Sequence, residues 1–241
     1  MGTQDIPAIS LYIKNTTKVD KLTYIGHSQG TTQFFAGFTL NPELFRANFN
    51  GMIALGPVTA LNRIDSSVLK VMAEKKIDSI FRFLNINEIF QSNESVNYFT
   101  KLICVKITSL CSGLLELLSD NNPDDDDSSK FLVYASHYPA GSSFKALRHF
   151  FKIIRHKGFI DYNLKEYDLN RIENFQISML VGKDDKLSTV LDNRQLRNKL
   201  LENNSLHFYK EYDNMGHATF FLNKNNIYID DVIKSLTDYT S

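Results

Sequence analysis

The chain has 241 residues, 27 Lys and Arg against 27 Asp and Glu, and an apolar fraction of 43%. That length supports one large domain with a real core, or a core plus a subdomain, and the composition excludes disordered and fibrous classes. The balanced charge gives no reason to expect a nucleic-acid partner or an anionic surface. No apolar run reaches the roughly 18 residues of a membrane span.

Met1-Gly2-Thr3-Gln4-Asp5 leads straight into a helical pattern, without the charged and apolar regions of a signal peptide or the Ser/Thr of a myristoylation signal. Ile6, Ile9, Leu11, Tyr12 and Ile13 predict an amphipathic helix over 5–15. A polar break runs from Asn15 to Lys21, and the β-prone run Leu22-Thr23-Tyr24-Ile25 stops at Gly26. Thr31 to Leu40 reads as a buried helix stopped by Asn41-Pro42. A second strand is expected over Gly51–Pro57. Both strands are nearly continuous in apolar residues, which suits a parallel sheet covered on both faces.

From about Ala60 to Phe151 the character becomes helical, with stretches at Ser67 to Phe83 and Tyr98 to Leu118. The run Asp124-Asp125-Asp126-Asp127 reads as a solvated loop, because it lacks the alternating spacing and glycine of a calcium loop. Cys104 and Cys111 lie in this block, and counting alone leaves their pairing open. Asn15, Asn93 and Asn203 head glycosylation triplets, which matter only in a secreted protein. Beyond the block come a strand over 175–181, a helix over 189–201, a strand over 206–212 and a helix over 227–236. This is the rhythm of an α/β fold. The division expected is a first core part at 1–60, a helical insertion at 61–150, and a second core part at 151–241.

A serine hydroxyl is a weak nucleophile until a base removes its proton, and the base must be held in one tautomer. Gly26-His27-Ser28-Gln29-Gly30 has the Gly-x-Ser-x-Gly pattern that sets a serine on a sharp strand-to-helix turn, here between a predicted strand and a predicted helix. An acid and then a histidine should follow, past later strands. Asp184 and Asp185 follow the strand at 175–181, and Asp192 is a remoter candidate. His217 follows the strand at 206–212. His27 lies inside the turn and can at most line the site; His137, His149, His156 and His207 sit where a base is not expected.

Tyr24-Ile25-Gly26-His27-Ser28-Gln29-Gly30-Thr31-Thr32 resembles the acid lipases, the group of lysosomal acid lipase and gastric lipase. So do Asp5-Ile6-Pro7-Ala8, Ala54-Leu55-Gly56-Pro57-Val58 and His137-Tyr138-Pro139-Ala140-Gly141-Ser142-Ser143. The resemblance implies an α/β-hydrolase with a mostly parallel sheet and an inserted helical cap over 61–150. It implies hydrolysis of neutral lipid esters at a lipid–water interface, without cofactor or metal, by a secreted or lysosomal protein. Its pattern places the nucleophile at Ser28, the base at His217 and the acid at Asp185 rather than Asp184. The Gln29 backbone N–H would be one oxyanion donor.

Several positions depart from the family. Lys186 stands where Trp usually follows the acid, Ala218-Thr219-Phe220 stands for Leu-Asp-Phe after the base, and Trp is absent. Complete members resemble an eight-stranded sheet with this turn after the fifth strand, so the chain corresponds to their C-terminal two-thirds. The first four strands and the His-Gly loop that lends a second oxyanion donor are expected to be missing. Losing one donor costs about 10²- to 10³-fold in rate, and the strand at 22–25 would become a bare apolar edge. The alternative reading is a non-catalytic lipase-like protein.

Overall fold

The computed structural model describes residues 1–79, 88–89, 126–135 and 140–240. Numbered in chain order among these, α1 spans Asp5–Thr17, β1 Leu22–His27, α2 Gln29–Leu40, α3 Pro42–Asn48, β2 Phe49–Leu55 and α4 Ser67–Glu74. The short strands β3 (Glu88–Ile89) and β4 (Ser142–Ser143) pair antiparallel; α5 spans Ser128–Ala135 and α6 Phe144–His156. Then follow β5 (Gln176–Gly182), α7 (Val190–Glu202), β6 (Leu206–Tyr212), α8 (Thr219–Leu222) and α9 (Ile229–Thr240).

β1, β2, β5 and β6 form one sheet in that order, and each neighbouring pair is parallel. Successive side chains of a strand point to opposite faces. Met52, Ala54, Ile177 and Met179 therefore meet Phe34, Phe35 and Phe38 of α2 and Leu196 and Leu200 of α7 on one face. Ile53, Leu55 and Leu180 meet Phe220 of α8 and Val232 and Tyr239 of α9 on the other. Helices cover both faces, which is why β2 and β5 do not alternate in polarity.

β1 lacks that cover on one side, and its edge position is the one expected from the resemblance. It is an edge strand, paired among the described residues with β2, and its Ile25 is 46% exposed. α1 differs from expectation: Ile6 is buried, whereas Ile9, Leu11, Tyr12 and Ile13 are exposed. The break at 41–42 both ends α2 and starts α3, with Asn41 accepting from Leu44 N–H and Pro42 in the first helical turn, where a missing N–H costs nothing.

Beyond the C-terminal end of β2, a third apolar cluster joins Val58, Leu61 and Ile64 to Ala73 of α4 and to Phe151, Ile153 and Ile154 of α6. Behind it Asp78 is buried between Arg148 (Nε–Oδ2 3.2 Å) and Arg155 (Nη1–Oδ1 2.9 Å). The helix expected over Tyr98–Leu118, the end of that expected to Phe83, Cys104, Cys111, Asn93, His137 and Asp124-Asp125 lie outside the described residues. Asp126 and Asp127 are not a bare loop. Asp126 is buried and bridged to Asn223, and the Asp127 carboxylate accepts from the Ser129 N–H and hydroxyl.

Candidate active site

Parallel strands place their carboxyl ends along one edge of a sheet, where open α/β folds build their sites. Ser28 leaves that edge after β1, Gly56 after β2, Asp185 after β5 and His217 after β6. The segments are far apart in sequence, and the sheet brings them together.

Ser28 has φ 53° and ψ −119°, a backbone state that L residues seldom adopt. Surrounding bonds hold it there. Its N–H donates to Leu55 O at 3.1 Å, and its carbonyl accepts from Thr31 N–H at 2.9 Å and the Thr31 hydroxyl at 2.6 Å. A Cβ on Gly26 would lie 3.0 Å from the Gly30 carbonyl carbon and 3.1 Å from Thr31 N, so only glycine lets strand and helix come this close. Thr31 Oγ1 also accepts from Val58 N–H at 2.9 Å, and Thr32 Oγ1 donates to Val58 O at 2.6 Å. These two threonines tie the serine turn to the loop after β2.

His217 is buried, and both its ring nitrogens are engaged. Nδ1 lies 2.7 Å from Asp185 Oδ2 and Nε2 lies 2.7 Å from Ser28 Oγ. The carboxylate partner assigns the proton to Nδ1, leaving Nε2 to accept from the serine hydroxyl. Asp185 is itself fixed, with Oδ1 accepting from Leu187 N–H at 2.8 Å and Ser188 N–H at 2.7 Å. Asp184 is exposed. Asp192 is buried but accepts from Arg63 N–H at 3.0 Å, with Arg63 Nη1 at 3.4 Å, and so anchors the loop after β2.

The Gln29 N–H heads α2 and has no intrahelical acceptor, so it is available beside Ser28. Among the described residues, no cluster of His, Cys, Asp or Glu could hold a metal ion, and no helix is long and apolar enough to cross a membrane. The described histidines other than His27 and His217 are used elsewhere or exposed. His149 Nε2 bonds Ile160 O at 2.7 Å, His207 Nε2 meets Asp238 Oδ2 at 3.1 Å, and His156 is exposed.

Two features were not anticipated from the sequence. Gly56 has φ +50°, and a Cβ there would stand 3.3 Å from Asp185 Oδ2 and 3.4 Å from His217 Nδ1. Its place in a run resembling the acid lipases was the only signal. Thr219, where those lipases usually have Asp, accepts from Gly216 N–H at 2.9 Å through its hydroxyl. That bond closes the loop that carries His217.

No family model matches the chain. The chain is similar to lipase lipl-3 of Caenorhabditis elegans, 27% identical over 267 aligned positions that cover 99% of this chain and 65% of that lipase. It is 26% identical to human lipase member K, covering 92% of this chain and 58% of the relative. Against human gastric triacylglycerol lipase it is 30% identical over 68% of this chain and 41% of the relative. The chain thus spans between about two fifths and two thirds of the length of these curated relatives. Among solved structures, a monoglyceride lipase variant from Saccharomyces cerevisiae superposes with a TM-score of 0.62 at 14% identity, covering 99% of this chain and 69% of that one. A monoacylglycerol lipase of Paleococcus ferrophilus gives 0.57 at 15% identity, covering 99% and 76%. The chain is acid-lipase-like in sequence and an α/β-hydrolase in fold.

Proposed function

We propose that the chain is a serine carboxylester hydrolase acting on neutral lipid esters of the triacylglycerol or cholesteryl ester type. The observation that carries the reading is the unbroken hydrogen-bonded line from Ser28 through His217 to Asp185. In this mechanism Ser28 Oγ attacks the ester carbonyl carbon while its proton passes to His217 Nε2. Asp185 holds the Nδ1–H tautomer and stabilises the imidazolium that forms. The Gln29 N–H donates to the oxyanion. The C–O bond to the alcohol then breaks as His217 returns the proton to the leaving oxygen. A water molecule, deprotonated by His217, attacks the acyl-enzyme and releases the acid with Ser28 restored.

Two further assignments rest on the likeness to lipases. The assignment of 61–150 as a cap is supported, among the described residues, by the cluster in which Leu61, Ile64 and Ala73 of α4 pack with Val58 and with Phe151 of α6. The substrate is met at a lipid–water interface, in a secreted or lysosomal setting; curated relatives include a gastric triacylglycerol lipase and a lysosomal acid lipase/cholesteryl ester hydrolase.

The test is labelling of the purified chain with a fluorophosphonate, alongside hydrolysis of a p-nitrophenyl ester. The expected result is stoichiometric labelling and turnover in the wild type and neither in Ser28→Ala. A wild type that melts cooperatively yet takes no label overturns the proposal.

A further inference from the structure

We propose that His27 is a positioning residue whose side chain donates to the His217 carbonyl and so holds the His217 loop against β1. The proposal rests on the reading of Ser28 as nucleophile and His217 as base, and it adds a part for the residue beside the nucleophile.

His27 Nε2 lies 3.0 Å from His217 O, a bond between residues 190 positions apart. A carbonyl only accepts, so Nε2 carries the proton. The ring is packed as well as bonded. Its centroid lies 4.6 Å from that of His217, 4.5 Å from Phe221 in an edge-on arrangement and 5.7 Å from Phe220. Phe220 and Phe221 belong to α8, which follows His217 directly, so His27 grips both the base's backbone and the helix after it.

The loop has a different anchor on its other side. Asp184 N–H donates to Met215 O at 3.0 Å, and Lys183 N–H to Tyr212 O at 2.9 Å, which ties it to the end of β5. A Cβ on Gly182 would come within 2.2 Å of Met215 O, so β5 and the loop are in close backbone contact. On the β1 side, the bond given to this backbone comes from the His27 ring. The serine and its base leave different strands, and their separation is fixed only if the loop is held on both sides. A base displaced by about 1 Å costs on the order of 10²-fold in rate.

The choice of histidine is consistent with the site's charge. During the reaction His217 becomes an imidazolium 4.6 Å from the His27 ring. A cationic neighbour would oppose that. Burial, with the neighbouring His217 charge second, pushes His27 down to about 3, so it stays neutral and keeps one donor aimed at the carbonyl. A neutral ring of this length provides both the reach and the stacking.

The test compares the wild type with His27→Phe, His27→Asn and His27→Gln on the whole chain. It measures kcat and KM on a p-nitrophenyl ester, the rate of fluorophosphonate labelling, and a circular dichroism melt. His27→Phe keeps a ring and removes the donor, while the amide of His27→Asn is too short to reach. Both are expected to lower kcat and labelling rate by about 10²-fold, with KM little changed and a cooperative melt retained. His27→Gln, whose amide N–H reaches further, is expected to recover most of the rate. If a folded His27→Phe or His27→Asn labels as fast as wild type, the proposal is overturned. A folded His27→Gln as slow as His27→Asn also overturns it, because donation would then not be the function. Labelling that persists in Ser28→Ala overturns the underlying reading instead, so the two failures are distinguishable.

Discussion

Gly56 and Asp185 meet at the carboxyl ends of neighbouring strands, where a Cβ on Gly56 would stand 3.3 Å from the Asp185 oxygen that binds His217. The glycine has φ +50°, so a side chain there is strained by the backbone as well as crowded by the site. Gly56→Ala is expected to destabilise the fold by about 1–2 kcal/mol and to slow ester hydrolysis by about 10²-fold through a displaced Asp–His pair. Urea denaturation and kcat/KM check the two effects separately. Unchanged kinetics in a folded variant would mean that the pair tolerates the methyl group.

Asp185 and Asp184 are adjacent, yet only Asp185 reaches His217. Asp185→Asn leaves the shape of the side chain and removes the charge that selects the Nδ1–H tautomer. A loss of roughly 10³- to 10⁴-fold in kcat is expected. Asp184→Asn, at an exposed position, is expected to leave kcat unchanged. Steady-state kinetics of both variants decide the assignment.

Asp78 is 2% exposed and bonded to both Arg148 and Arg155, which join α6 to the segment after α4. Removing the carboxylate leaves two guanidinium groups without a counter-charge in a largely buried place. Asp78→Asn is expected to cost about 3–5 kcal/mol in unfolding free energy by denaturant titration. Asp78→Leu with both arginines changed to Met is expected to recover much of that.

Glu211 gives a pH dependence of defined sign. Arg194 bonds both of its oxygens at 2.8 Å and Tyr209 donates at 2.6 Å, and the Arg194 pairing above all holds Glu211 down to about 2 from the usual 4.5. A depressed carboxylate stabilises the fold fully above its ordinary value, and that stability is lost as pH falls from 4.5 toward 2. Arg194→Gln is expected to make the decline in melting temperature over that window shallower. An identical decline in both proteins would show that the pair contributes nothing.

Ile25 is 46% exposed on β1, the edge strand of the sheet. An exposed apolar edge invites pairing with another chain, and a lysine there opposes it. Ile25→Lys is expected to reduce concentration-dependent light scattering, with ester hydrolysis per folded molecule retained.

Much of the core pattern was legible in the sequence because it depends on neighbours. The apolar run that became β5 and the Gly26-x-Ser28-x-Gly30 turn are set by residues a few positions apart. The edge position of β1 followed from the resemblance to longer lipases and not from its own run, since an apolar strand looks alike at the centre and at the edge. The exposed side of α1 was hidden for the same reason: Ile9, Leu11 and Tyr12 fit a helical pattern without showing what would cover them.

The sequence by itself determined the strand–turn–helix around Ser28, because local sterics dictate it, and it carries a candidate acid and a candidate base in the order serine, acid, histidine. The resemblance to the acid lipases pointed to Asp185, but the physical reason that this carboxylate meets His217 lies in the tertiary structure. Asp184 and Asp185 are one bond apart in the chain, and the choice falls to burial, to the N–H groups of Leu187 and Ser188, and to the space left by Gly56. Tertiary structure also decided that His27 bonds the backbone of a residue 190 positions away. Such contacts depend on how parallel strands stack their ends, and no spacing within the chain encodes that distance.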